Sequence, residues 1–129
     1  LNKPLMKLYH VPATVRTAEV SLNPDNGTIK FSGISIPEDS EAFFRPVYDW
    51  LAAYRASNAT NKVVATFSMT YFNTSSVRHI MLICQYLIQN FSDNLEIVWE
   101  YEEDDDDILH RGEEISRIMK FPLTLKAID

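Results

Sequence analysis

The sequence predicts an α/β protein made as a single domain, with a mixed sheet (an N-terminal hairpin plus mainly parallel strands) packed against about three helices. Three observations support this. At 129 residues the chain can enclose one hydrophobic core but not two, so residues 1–129 are read as one domain. The spacing of apolar residues switches repeatedly between alternation and a helical period. From Val63 onward, strand-like and helix-like segments take turns, and strands joined by single helices tend to lie parallel with right-handed crossovers.

Each element has its own signal. Leu5 to Val11 is read as a short first strand that gives way to a loop around Pro12. Ala18, Val20 and Leu22 alternate, Asn23-Pro24-Asp25-Asn26-Gly27 supplies turn chemistry, and Ile29 and Phe31 resume the alternation, which is a hairpin pattern. Gly33 to Asp39 is read as a connection. Pro37, Glu38, Asp39 and Ser40 signal a helix start, and Phe43, Phe44, Val47, Trp50, Leu51 and Tyr54 carry its period. Pro46 lacks an amide hydrogen, so a late start or a kink is expected. Val63 to Tyr71 alternates large apolar residues with small or hydroxylated ones, as a central strand covered on both faces would. Asn73 to Ser76 ends it. Val77, Ile80, Met81, Cys84, Leu87, Ile88 and Phe91 mark an amphipathic helix. Leu95, Ile97, Trp99 and Tyr101 form a further strand; Ile108, Gly112, Ile115 and Met119 carry a third helix; and Leu123 to Ile128 close the sheet after Pro122.

Composition narrows the function. Eighteen acidic and twelve basic side chains give a formal charge of −6 at pH 7. That balance disfavours nucleic acid as a partner and works against anionic membrane surfaces. Cys84 is the single cysteine, so no internal disulfide can form, and its place on an apolar helix face predicts a buried, unreactive thiol. The sequence has no secretory leader pattern and no 18-residue apolar run, so a cytoplasmic setting without membrane insertion is expected.

Ligand contacts in open α/β sheets gather where strands hand over to helices, and two segments have that position. At the first, Asn73, Thr74, Ser75 and Ser76 precede Arg78. One polar side chain is enough to cap a helix, at about 1 kcal/mol, which leaves hydroxyls over. A phosphate there would face free amides and the positive end of the helix dipole, with Arg78 four residues beyond Thr74. The second segment runs from Glu100 to Asp107 and is acidic everywhere except Tyr101. Acidic groups near a helix start are stabilising, but this run exceeds what capping needs. Its spacing lacks the pattern of a calcium loop, so a solvated or partner-facing surface is expected and no metal site. Glu38 and Asp39 are explained by the helix start. His10, His79 and His110 form no metal-ligand spacing, and His79 is expected to be exposed. No phosphate-binding glycine loop and no nucleophile elbow occur. No catalytic residue and no cofactor is therefore assigned.

The segment Tyr71-Phe72-Asn73-Thr74-Ser75-Ser76-Val77-Arg78 resembles the Tyr-Leu-Asn-Thr-Ser-Ser-Ile-Arg signature of the SiaC family of bacterial regulatory phosphoproteins. Gly33 to Ser40 resembles that family's entry to its first helix, and Trp99-Glu100-Tyr101 with the acids behind it resembles its strand motif. The resemblance covers about residues 15–125 in order. It implies a fold like the STAS domains of anti-sigma-factor antagonists and a partner-switching role without catalysis. Thr74 would be the phosphorylated residue (Ser75 and Ser76 are the alternatives), supported by Asn73 and Arg78. A dedicated protein kinase would add the phosphate and a PP2C-type phosphatase would remove it. The unmodified form would bind and activate a diguanylate cyclase, raising cyclic di-GMP and favouring biofilm or aggregation. Glu38, Asp39, Glu102, Glu103, Asp104 and Asp105 would face partners. Two other readings follow from the residues alone: an acidic-cluster metal hydrolase, and a small-molecule or lipid module lined by Phe43, Phe44 and Trp50.

Overall fold

The computed structural model describes residues 6–129. Among these the order is β1 (Tyr9–Val11), β2 (Glu19–Asn23), β3 (Thr28–Ser35), α1 (Ser40–Ala56), β4 (Val63–Phe72), α2 (Thr74–Phe91), a short 3-10 turn (Ser92–Asn94), β5 (Leu95–Glu102), α3 (Asp106–Met119) and β6 (Thr124–Ile128). The expected first strand is thus shorter than its sequence pattern, and Leu5 lies outside the described residues. No helix among the described residues is long and apolar enough to cross a membrane.

All six strands join one sheet in chain order, β1-β2-β3-β4-β5-β6. The first three pair antiparallel, and β3 to β6 pair parallel. Sequential strand order with right-handed crossovers sets all three helices on the same face. Burial agrees: Val63, Ala65, Phe67 and Met69 of β4 are buried, whereas Val64, Thr66 and Ser68 are half-buried and Thr70 is exposed. The expectation that both faces of this strand are covered is therefore wrong. The small and hydroxylated face is the open one, because it has no helix to cover it.

The covered face holds an aromatic core. Phe31 and Phe67 stack with ring centroids 5.3 Å apart, and Phe44 of α1 packs on Phe31 at 6.4 Å. These rings fill the space between α1 and the sheet; Phe44 and Trp50 are buried core residues, and half-buried Phe43 packs against them. Each such buried side chain contributes about 1.5–3 kcal/mol. Cys84 is fully buried, as its position on the helix predicts, and burial pushes its thiol up to about 12.

Two further expectations are corrected. The segment from Gly33, read as a connection, continues β3 through Ser35, with a register shift between Gly33 and Ile34. Gly33 sits at φ +100, a conformation open to glycine, and this lets the strand bulge and go on. Nor does Pro46 delay α1, which starts at Ser40 and runs through it. The amide hydrogen it lacks would have bonded the Ala42 carbonyl, and Ala42 is exposed, so that carbonyl is not left buried without a partner.

Candidate functional site

Parallel pairing of β3, β4 and β5 brings their C-terminal ends to one edge of the sheet, so α1, α2 and α3 all begin there. The register Ser35↔Phe72 sets the exit of β3 beside the exit of β4. The Ser35 carbonyl accepts from the Asn73 amide at 3.0 Å and from the Ser76 hydroxyl at 3.0 Å, and the Ser35 and Ser76 hydroxyls meet at 2.8 Å. This clamp fixes the turn into α2.

Asn73 caps α2 in extended conformation, and its Oδ1 accepts the Ser76 amide hydrogen at 3.0 Å. Ser75 Oγ donates to the same oxygen at 3.1 Å. The three hydroxyls of the junction therefore have different roles. Ser76 is 0% exposed and structural, Ser75 is half-buried and tied to the cap, and Thr74 is exposed. Among the described residues the Thr74 hydroxyl enters no hydrogen bond. Ser76 as an alternative acceptor conflicts with this burial; Ser75 remains partly accessible.

Arg78 and Thr74 line one shallow groove on α2, together with Val77, Met81, Leu82 and Met119. Arg78 does not stand free. Its guanidinium donates to Glu41 Oε1 at 2.9 Å, linking α2 to the first turn of α1. Both side chains are more than half exposed, so the pair contributes about 0–1 kcal/mol.

His79 contradicts expectation: it is only 1% exposed. Its ring stacks on Phe44 with centroids 4.7 Å apart, Nδ1 meets the Tyr48 hydroxyl at 2.6 Å, and Nε2 stands 3.3 Å from Glu41 Oε1. Burial holds its titration below the ordinary histidine value, against the pull of Glu41. It lies on the stripe that α2 buries, with Ser76, Ile80, Ile83, Cys84 and Leu87. Glu41 and Tyr48 gave no local signal, because Glu41 lies 37 positions from Arg78.

The acidic run divides among structural roles. Glu100 belongs to β5 and faces Lys126 of β6 at 3.9 Å. Asp105 caps α3 by accepting the Ile108 amide hydrogen at 3.0 Å, and Asp106 and Asp107 occupy its first turn. Glu102, Glu103 and Asp104 are exposed. On α1, Asp39 is the cap, accepting the Ala42 amide hydrogen at 3.0 Å, and Glu38 is exposed beside it. Tyr71 is 57% exposed and borders a hollow lined by Asp105, Asp107 and Arg111. Among the described residues no three His, Cys, Asp or Glu side chains converge as a metal ion would require. The acidic and hydroxyl-bearing junctions do share an edge, as the parallel topology requires.

A family model described as SiaC family regulatory phosphoprotein matches residues 11–128. An uncharacterised protein of Pseudomonas aeruginosa (strain UCBPP-PA14) is 25% identical over 126 residues, covering 96% of this chain and 99% of that protein. Among solved structures, apo-SiaC from Pseudomonas aeruginosa superposes with a TM-score of 0.84 at 26% identity, covering 95% of this chain and 100% of that one. The fold is also that of SiaC in a complex with the diguanylate cyclase SiaD, which it activates; there the TM-score is 0.86 at 24% identity, over 93% of this chain and 99% of that one.

Proposed function

The chain belongs to the SiaC family of regulatory phosphoproteins, and we propose that it is a phosphorylation-switched adaptor whose unmodified form binds and activates a diguanylate cyclase. Thr74 is the switch residue in this reading. A cognate kinase esterifies its hydroxyl, a PP2C-type phosphatase restores it, and the protein itself catalyses nothing. The relative of like fold that is described as the activator of a diguanylate cyclase supports the choice of partner. The observation that carries the reading is the contrast among three neighbouring hydroxyls. Ser76 is buried in the clamp, Ser75 is held by the cap, and Thr74 stands exposed at the start of α2.

The chemistry of the site suits such a switch. α2 has no acidic residue in its first turn, so a phosphate on Thr74 would meet a positive helix end with no competing carboxylate on that turn. Close by are the surfaces that would sense the added charge. Glu38 and Asp39 flank the start of α1, and Glu102, Glu103, Asp104 and Asp105 precede α3 on the same edge. We assign these six residues to the partner-facing rim.

Intact-mass spectrometry with the cognate kinase tests the assignment. Wild type gains one phosphate, and Thr74→Ala gains none while keeping its fold. A phosphate still present in Thr74→Ala would move the site to Ser75. In the same preparations, unmodified protein stimulates the cyclase and phosphorylated protein does not; equal stimulation by both forms would remove the switch.

A further inference from the structure

One oxygen of Glu41 lies near two groups, bonded to one and not hydrogen-bonded to the other. It accepts from Arg78 at 2.9 Å on the surface and stands 3.3 Å from Nε2 of the buried His79. The other ring nitrogen is occupied by the Tyr48 hydroxyl, and Phe44 covers the flat of the ring. Thr74 lies four residues before Arg78 and lines the same groove, so the two side chains are neighbours along the helix. Arg78 therefore stands between Glu41 of α1 and the Thr74 hydroxyl of its own helix.

We propose that phosphate on Thr74 draws Arg78 away from Glu41, breaking the ion pair between α1 and α2 and leaving the Glu41 carboxylate to His79. The inference rests on the reading of Thr74 as the modified residue and adds how the modification is transmitted. A single carboxylate in an exposed pair is a weak competitor. A phosphate brings nearly two negative charges and three acceptor oxygens that match the guanidinium fork. No covalent bond changes in the exchange, and any proton His79 gains comes from solvent.

The consequence for His79 follows from the groups around it. Those facing the ring are Glu41 and Tyr48 of α1 and Arg78 of its own helix. Tyr48 is pushed up to about 12, chiefly by burial, and stays neutral. Burial and Arg78 both hold the His79 titration down, whereas Glu41 raises it. With Arg78 turned toward the phosphate and Glu41 undivided, the ring holds its proton to higher pH. The first turn of α1, next to Glu38 and Asp39, thus changes when the first turn of α2 is modified. A partner resting on α1 would sense a phosphate it does not touch.

The test installs phosphothreonine at position 74 by codon suppression, so that no kinase is needed, and follows the His79 ring by NMR across pH. In the wild-type background the phosphate should raise the His79 titration by about one pH unit or more. In Glu41→Gln the rise should shrink to what the field of the phosphate alone supplies. An equal rise in both backgrounds, or none in the wild type, overturns the exchange. Where acid unfolds the protein before the ring titrates, a double-mutant cycle between Glu41→Gln and Arg78→Gln decides instead. Coupling should be present without phosphate and lost with it; equal or absent coupling overturns the proposal. Because the phosphate is placed directly, failure here leaves the identity of the kinase's target to the mass experiment, which stands or falls separately.

Discussion

The turns that open α2 and α3 lie side by side at the ends of β4 and β5 and are capped in the same way. Asn73 Oδ1 accepts the third-position amide hydrogen of α2 at 3.0 Å, and Asp105 Oδ1 does the same for α3 at 3.0 Å. Their charge differs. α3 has a charged cap and two acids in its first turn, whereas α2 has a neutral cap and none. α1 resembles α3, with Asp39 as cap and Glu41 behind it. The dipole of α2 alone is left without a negative partner on its own first turn, and Thr74 stands at that turn. A phosphate would supply to α2 what α1 and α3 already carry.

The largest effect that would break this comparison lies behind the α3 turn. Gly112 faces Trp99 so closely that an added methyl would collide with the indole ring. Trp99 is itself fixed by donating to the Ile108 carbonyl at 2.8 Å. Gly112→Ala should therefore cost about 1–3 kcal/mol from overpacking, despite the better helix propensity of alanine. Chemical denaturation reads this directly, and a stability equal to wild type would show that α3 is free to move off the sheet.

A smaller effect sharpens the comparison. Asn73→Ala and Asp105→Ala should each lose about 1 kcal/mol of cap. Asn73→Ala should lose the more of the two, because it also removes the Ser75 partner. The smallest effect bears on charge alone. Thr74→Asp should stabilise the protein by about 0.3–1 kcal/mol through the α2 dipole, and this gain should fade in high salt. Thermal unfolding at two ionic strengths checks it; a gain that salt leaves intact would point to a local bond and not to the dipole.

Much of this arrangement was legible in the sequence. Alternation marked β2, β4 and β5, and the run Asn73 to Arg78 marked the turn from β4 into α2. Four things were hidden, each for a physical reason. The face of α2 was ambiguous because Ile80 to Cys84 is an unbroken apolar run, so several stripes fit one period; the one chosen left out Ile83 and put His79 outside. Gly33 reads as a breaker, whereas here it permits a bulge that carries β3 on to Ser35. The Glu41–Arg78–His79 cluster depends on how α1 lies against α2, which no local pattern encodes. The open face of the sheet was also missed, since hydroxylated residues suit a covered central strand as well as an uncovered one.

The Ser35 carbonyl has a consequence beyond holding a turn. Two donors from the start of α2 converge on it, and residues 36–39 carry the chain from it to the start of α1. The approach to α1 is therefore anchored to the entrance of α2. Deuterium uptake at Asn73 and at the opening turn of α1 should proceed in step, since neither segment can loosen without releasing its neighbour.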